Sequence, residues 1–267
     1  MGLRLPGGQR MSSKPLDGFD AFDHADGGMT HTVYSRGTGP GVLLMHELPG
    51  MVPQCVELAT TIADRGFTVF MPLMFGEAGA PPALKTLSVR VCISHEFHCF
   101  AHHESSPITR WLRGLCADRI RPRCPGPGIG AIGMCFSGAF VLSLFVDDQL
   151  LAPVLCQPGL PFPSLKPGAG AALGVSPEDL QEALGSNAPI LGFRFEGDTL
   201  CPKERFETLR STFGTRFEGH ELPGTEHSVM TLAFVNDPAH PTFQARERLF
   251  AFLHQRLGVP APPSPAS

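Results

Sequence analysis

The chain of 267 residues has few charged residues and no excess of basic ones. Asp, Glu, Lys and Arg make up 17% of the sequence, and the formal net charge is −4. A protein that neutralises a nucleic-acid backbone needs a basic surface, so this balance argues against nucleic acid as a partner. Hydrophobic residues amount to 42%, which is typical of a globular protein, and the length is ample for a buried core.

Long apolar segments are also lacking. The longest, residues 131–146, is interrupted by Gly and Ser and is shorter than the roughly 20 residues that a membrane-spanning helix needs. The first 15 residues lack the apolar core of a secretory signal peptide. The eight cysteines are scattered through apolar runs, as is typical of reduced thiols. We therefore predict a cytoplasmic protein that has no membrane partner.

Short apolar runs alternate with segments of helical periodicity. Helices are predicted at residues 54–65, from residue 176 onward and at 242–257, and strands are predicted at 41–46, 66–71, 128–134, 152–156, 189–195 and 217–222. This alternation predicts one α/β domain over residues 16–258 with a mainly parallel sheet. Residues 76–107 show weak periodicity and are predicted to form a helical excursion or lid. Disordered ends are expected at residues 1–15 and in the Pro-rich tail 259–267.

The most informative motif is Gly-Met-Cys-Phe-Ser at residues 133–137, where an apolar strand runs directly into an apolar helix. A strand, a tight turn and a helix in this order predict a nucleophile elbow that exposes its central residue above the sheet. Gly133 and Ser137 are the small neighbours that such a turn requires, and Cys135 is the central residue. The start of the following helix favours a thiolate. The alternative interpretation is that Cys135 is a small buried hydrophobic residue.

The same region also contains a G-x-G-x-x-G pattern at Gly128, Gly130 and Gly133. A dinucleotide-binding fingerprint must follow a strand. The preceding residues, 121–127, are too rich in proline to form a central strand, so these glycines lie on the strand itself. We therefore expect no nucleotide cofactor.

Two further residues complete the order of nucleophile, acid and histidine that is typical of such an elbow. Asp198 follows the predicted strand 189–195, and His227 follows the strand 217–222. In a triad, Asp198 would orient His227, and His227 would move the proton to and from sulfur and water. The alternatives are a turn-forming Asp before a helix and a surface-loop His.

Glu47 follows the first predicted parallel strand, in the loop where these folds supply half of an oxyanion hole. The backbone N–H groups of Leu48 and Phe136 are predicted to face the developing oxyanion. Glu47 itself is a candidate second base, with an ordinary loop carboxylate as the alternative. A substrate-pocket wall, or else a structural loop, is predicted after the strand 152–156, at Gln157, Pro158 and Phe162.

These motifs together resemble the dienelactone hydrolase family within the α/β-hydrolase fold. The resemblance covers roughly residues 17–257 and implies a triad of Cys135, Asp198 and His227, with Glu47 taking the thiol proton when substrate binds. It further implies that the thiolate attacks a lactone or ester carbonyl, that an acyl thioester forms and that water releases the acid. No metal or organic cofactor is implied.

One position departs from the resemblance. Family members that hydrolyse dienelactone hold the substrate carboxylate with arginines, one of them four residues after the catalytic histidine, and this chain has Thr231 there. The expected partner is thus a small-molecule ester or lactone, and the alternatives are a broad carboxylesterase or thioesterase and a non-catalytic binding protein. We expect a monomer or a small homo-oligomer.

Residues 95–104 are rich in His, Cys and Glu, but their spacing does not match a known zinc motif. His98 and His102 could share one helix face. We predict no metal in the catalytic centre, and any metal bound at the cluster between His95 and His103 would lie on the predicted lid.

Overall fold

The computed structural model describes residues 15–82, 106–146, 149–159 and 170–260. Almost all of both predicted disordered ends, most of the predicted lid, the His95–His103 cluster and Phe162 lie outside these ranges. No helix in the described ranges is long and apolar enough to cross a bilayer.

An eight-stranded sheet forms the centre of the described structure, in the order β1-β2-β4-β3-β5-β6-β7-β8. β1 pairs antiparallel with β2 and β2 antiparallel with β4, whereas β3 to β8 pair in parallel with one another. The strands are β1 Asp20–Asp26, β2 Met29–Arg36, β3 Gly41–Met45, β4 Thr68–Pro72, β5 Ile129–Met134, β6 Leu150–Cys156, β7 Ile190–Phe195 and β8 Phe217–Leu222.

Helices cover both faces of the sheet, and each face has its own hydrophobic cluster. Apolar residues of α1 and α6 belong to one cluster, and those of α2 to α5 belong to the other. The helices are α1 Pro53–Asp64, α2 Pro107–Leu115 with a π-helical turn at Cys116–Ile120, α3 Gly138–Leu142, α4 Pro177–Gly185, α5 Lys203–Phe213 and α6 Pro241–Leu257.

The predicted α/β class and α/β-hydrolase architecture are confirmed. All six predicted parallel strands are present, and β3, β5 and β7 are buried along their whole length, as expected for strands covered on both faces. The antiparallel pair β1–β2 and the helices α2 and α5 were not predicted from the sequence.

The parallel arrangement determines where the candidate residues meet. Because the carboxyl ends of parallel strands lie at one edge of a sheet, the loops after β3, β5, β6, β7 and β8 converge there. Five candidate residues lie in these loops, some of them directly after a strand: Glu47, Cys135, Gln157, Asp198 and His227.

Candidate active site

The backbone at Cys135 has a conformation that residues with side chains rarely adopt. Its φ is 55°, and the 3₁₀ turn Cys135–Ser137 begins directly after β5. The turn is tight, since a Cβ on Gly133 would lie 2.3 Å from the carbonyl oxygen of Ser137. Ser137 Oγ accepts a hydrogen bond from Met134 N at 2.8 Å and lies 3.1 Å from Met45 O, to which it can donate. A glycine and a small hydroxyl residue thus permit the sharp change of direction at Cys135.

The side chain of Cys135 is only 8% exposed. The loop after β6 lies against it, because Gly159 N donates to Cys135 O at 3.0 Å. A Cβ built on Gly159 would be 3.5 Å from Cys135 Sγ, so a larger residue at this position would crowd the sulfur. Phe136, the residue after the elbow, is fully buried.

Asp198 and His227 form a direct pair. His227 Nδ1 lies 2.7 Å from Asp198 Oδ2 and can donate its proton to that oxygen. The other carboxylate oxygen of Asp198 accepts the backbone N–H groups of Leu200 and Cys201, at 2.9 and 3.1 Å. Since Asp198 is 3% exposed and both of its oxygens are engaged, its orientation toward the ring is fixed.

The imidazole of His227 is held in a setting that favours its charged form. Burial lowers the pKa of His227, but the hydrogen bond to Asp198 and the interactions with Cys135 outweigh it and raise the pKa to about 10. His227 Nε2 is buried and has no aligned hydrogen bond within the described ranges, although the sulfur is close enough to affect the charge of the ring. This nitrogen is available for proton exchange with a group bound at Cys135.

Glu47 is completely buried and is surrounded by side-chain donors. Gln157 Nε2 and Ser228 Oγ donate to one carboxylate oxygen at 3.1 and 2.9 Å, and Thr231 Oγ1 donates to the other. Burial raises the pKa of Glu47, and these bonds together with the charge of His227 offset only part of that rise. Among the described residues, the side-chain donors to Glu47 therefore come from the loops after β6 and β8.

Two residues of the predicted pocket wall lie within the described ranges. The side chain of Gln157 is fully buried, donates to Glu47 and accepts Val229 N at 3.3 Å, so it connects the loops after β3 and β8. Pro158 is buried as well and packs on the elbow helix, since a Cβ on Gly138 would lie 2.8 Å from Pro158 Cβ. Phe162 lies outside the described residues.

His46 supports the loop that carries Leu48, and sequence reasoning did not identify it. Its Nε2 accepts Met74 N at 3.1 Å, and its Nδ1 lies 3.2 Å from Glu47 O. Burial lowers the pKa of His46 to about 4, so the ring is neutral and Nδ1 donates to the carbonyl. The side chain of Leu48 is half-buried, and Leu48 and Phe136 follow the paired strands β3 and β5 closely.

The role of Ser228 as a donor to Glu47 was also not predicted from the sequence, although its position directly after a candidate catalytic histidine was a signal.

Within the described ranges, no group of three His, Cys, Asp or Glu side chains is arranged to hold a metal.

One family model matches the described domain from β2 into α6. The match to the "Dienelactone hydrolase family" extends over residues 29–255. The chain belongs to the dienelactone hydrolase family. As a member of this family it is a hydrolase. No curated protein matches it in sequence.

Solved structures share the fold of this dienelactone hydrolase family member. A dienelactone hydrolase-like promiscuous phosphotriesterase from metagenomic libraries aligns with a TM-score of 0.62 at 20% identity, over 90% of this chain and 98% of that one. A cold-adapted esterase from an Arctic intertidal metagenomic library aligns with a TM-score of 0.60 at 16% identity, over 92% and 98%. A thioesterase domain from the curacin biosynthetic pathway aligns with a TM-score of 0.57 at 13% identity, over 87% and 99%.

Proposed function

We propose that this protein hydrolyses a carboxylic ester or lactone through a covalent thioester on Cys135. The observation that carries the proposal is the elbow itself, where Cys135 has a φ of 55° beside a His227 ring held 2.7 Å from Asp198. A buried cysteine with only a packing role needs neither a left-handed backbone nor an oriented imidazole. The family match supports hydrolase chemistry.

The reaction proceeds in two halves. His227 Nε2 takes the thiol proton, and Cys135 Sγ attacks the carbonyl carbon while the carbonyl electron pair moves onto oxygen. The backbone N–H groups of Leu48 and Phe136 stabilise that oxyanion. Collapse breaks the bond to the alkoxide, which takes the proton from His227, and the acyl thioester remains. Water, deprotonated by His227, then attacks the thioester and releases the acid and the thiol.

Glu47 is a second candidate acceptor of the thiol proton. Its raised pKa makes it a stronger base than an exposed carboxylate. It is held by Gln157, Ser228 and Thr231, so it must exchange one of these bonds before it can bind the proton. We therefore assign the first proton transfer to His227 and treat Glu47 as the base only when substrate displaces this network.

The hydrogen bond from Thr231 to Glu47 favours an uncharged substrate over an acidic lactone. Thr231 is 2% exposed and directs its hydroxyl to a buried carboxylate, so it offers no cation to a substrate carboxylate. Exposed apolar residues lie on two of the surrounding loops, with Leu200 at 51% and Leu232 at 44%. A broad carboxylesterase or thioesterase is thus the second candidate function.

The test compares p-nitrophenyl acetate, a neutral lactone and an unsaturated lactone that bears a carboxylate. Cys135→Ala should lose activity by about a thousandfold or more, whereas Cys124→Ala should retain it. Cys124 is the matched control, because it is buried beside Gly41 at the opposite edge of the sheet. Mass spectrometry of the quenched reaction should find one acyl group on the peptide that contains Cys135.

The ranking of substrates then separates the two candidate functions. A higher kcat/KM for the neutral compounds supports the carboxylesterase assignment, and a preference for the acidic lactone supports the dienelactone type. Equal activity of Cys135→Ala and wild type would show that Cys135 is not the nucleophile. Inert wild-type protein would favour a non-catalytic binding protein.

A further inference from the structure

Arg205 is a buried cation close to the candidate active site. It lies in the first turn of α5, is 3% exposed, and extends between the loops after β6 and β7. Its Nη1 lies 2.8 Å from Pro158 O and 3.4 Å from Leu200 O, and its Nε donates to Ala172 O at 2.8 Å. Burial of a guanidinium is unfavourable unless such acceptors or negative charges compensate it.

Two of the carbonyl groups that Arg205 contacts, those of Pro158 and Leu200, lie near the nucleophile. A Cβ built on Gly159 would lie 3.4 Å from Leu200 O and 3.5 Å from Cys135 Sγ, so both atoms border the same small space. Gly159 N in turn donates to Cys135 O. The guanidinium therefore contacts the backbone of the two loops, after β6 and β7, that border the sulfur of Cys135.

The charge of Arg205 interacts with the site. Burial lowers the pKa of Arg205, and the thiol groups of Cys201 and Cys135 and the carboxylate of Asp198 raise it when they are ionised. An arginine in a protein remains protonated at every pH at which enzymes work, whereas an imidazolium can lose its charge. Glu47, Asp198, Cys201 and His227 are further titratable groups on the described loops around the sulfur, and His46, Glu196 and Glu226 lie on the same loops.

We propose that Arg205 is a positioning residue that holds the Pro158–Gly159 and Leu200 backbone against Cys135 and supplies a permanent positive charge that favours the thiolate. Its contribution to turnover rests on the proposed function of Cys135, but its effect on thiolate formation does not. Two features of arginine are needed, its permanent charge and its planar guanidinium. The guanidinium can bridge several carbonyl groups, whereas the ammonium group of lysine acts as a point charge.

The test measures alkylation of Cys135 by iodoacetamide as a function of pH, with the modified peptide quantified by mass spectrometry. Only the thiolate reacts, so the profile reports its formation without any substrate. In Arg205→Gln, which keeps a donor but loses the charge, the midpoint should move to higher pH by about one unit. The rate below the midpoint should fall about tenfold. Arg205→Lys retains the charge and should keep the wild-type midpoint.

Arg113→Gln is the matched control. Arg113 is also part-buried, donates to Ser143 O at 2.7 Å and forms an ion pair with Asp179, but it lies on α2. The Arg113→Gln variant should unfold more easily than wild type but keep the wild-type midpoint of Cys135 alkylation. If Arg205→Gln also keeps the wild-type midpoint, or if Arg205→Lys shifts as far as Arg205→Gln, the charge has no effect on the thiolate and the proposal is wrong.

Hydrolysis assays on the same variants keep the two proposals distinguishable. If Cys135→Ala retains activity, the proposed function fails, yet alkylation of Cys135 still tests Arg205. If Cys135→Ala is inactive and Arg205→Lys shows lower kcat with an unchanged alkylation midpoint, the bridging of the two loops is supported separately from the charge. Unchanged kcat in Arg205→Lys would refute the bridging role.

Discussion

Replacement of Asp198 by Asn tests whether the carboxylate determines the charge and the tautomer of His227. The Asn carbonyl oxygen must accept Leu200 N and Cys201 N, because both N–H groups already point at Asp198 Oδ1. The amide NH₂ then faces His227 Nδ1, which has to accept. The ring proton is consequently placed on Nε2, the atom that should take the proton of Cys135.

The magnitude follows from the pKa of His227. A rise from 6.5 to about 10 corresponds to about 5 kcal/mol in favour of the imidazolium. Asp198 and Cys135 both raise the pKa against the effect of burial, so loss of the Asp198 charge should remove part of the rise. The unfavourable tautomer adds to this, and kcat should fall on the order of 10³-fold.

The pH dependence has a defined sign. Because the folded-state pKa of His227 lies above the unfolded value, its stabilisation is fully present below pH 6.5 and is lost as the pH rises through about 10. Hydrolysis should decline over the same alkaline range, since the leaving alkoxide needs the imidazolium proton. In Asp198→Asn the decline should begin at lower pH.

The assay is kcat for a neutral lactone, whose alkoxide leaving group needs a proton, from about pH 5 to about pH 10.5, with urea unfolding alongside it. Asp179→Asn is the control, because Asp179 is equally buried but forms an ion pair with Arg113 at 2.7 Å on another part of the domain. It should lose stability and keep the alkaline limb. An Asp198→Asn variant with kcat within about threefold of wild type and an unmoved limb would refute the reasoning.

Three further changes should have measurable effects. Gly133→Ala places a Cβ 2.3 Å from Ser137 O, so urea unfolding should show a loss of about 3 kcal/mol, and wild-type stability would contradict the tight turn. His46 has a pKa of about 4 in the folded protein, so it should lower stability by about 3 kcal/mol as the pH falls from 6.5 to 4. In His46→Gln that part of the acid sensitivity should be absent. Thr231→Val removes a donor from buried Glu47 and should cost about 1–3 kcal/mol by thermal or urea unfolding, and no loss would show that the bond is unimportant.

The parallel strands could be predicted because burial on both faces of the sheet gives them an apolar sequence. A strand covered by helices on both faces is a continuous apolar run, and β3, β5 and β7 are such runs. β1 and β2 were missed because they form the outer antiparallel part of the sheet and carry many polar residues. α5 was missed because most of its residues are charged or polar and its apolar side chains are few.

The site could be predicted in outline for a topological reason. The loops that follow parallel strands meet at one edge of the sheet. Because Cys135, Asp198 and His227 each follow a predicted parallel strand, their loops could be predicted to meet there. The supporting residues could not be predicted in the same way. Gln157 and Arg205 act through carbonyl and carboxylate oxygens of distant loops, and such contacts leave no spacing pattern in the sequence.

Two buried groups of opposite charge lie on opposite sides of the elbow strand. Glu47 follows β3 on one side of β5, and Arg205 bridges the loops after β6 and β7 on the other. Burial raises the pKa of the Cys55 and Cys156 thiols, and the carboxylate of Glu47 raises it further, which shows the sign of its field. Glu47→Gln and Arg205→Gln should therefore shift the alkylation profile of Cys135 in opposite directions. If Glu47 also receives the thiol proton, Glu47→Gln should alkylate faster and yet hydrolyse esters more slowly. Parallel changes in the two rates would exclude a separate proton-accepting role.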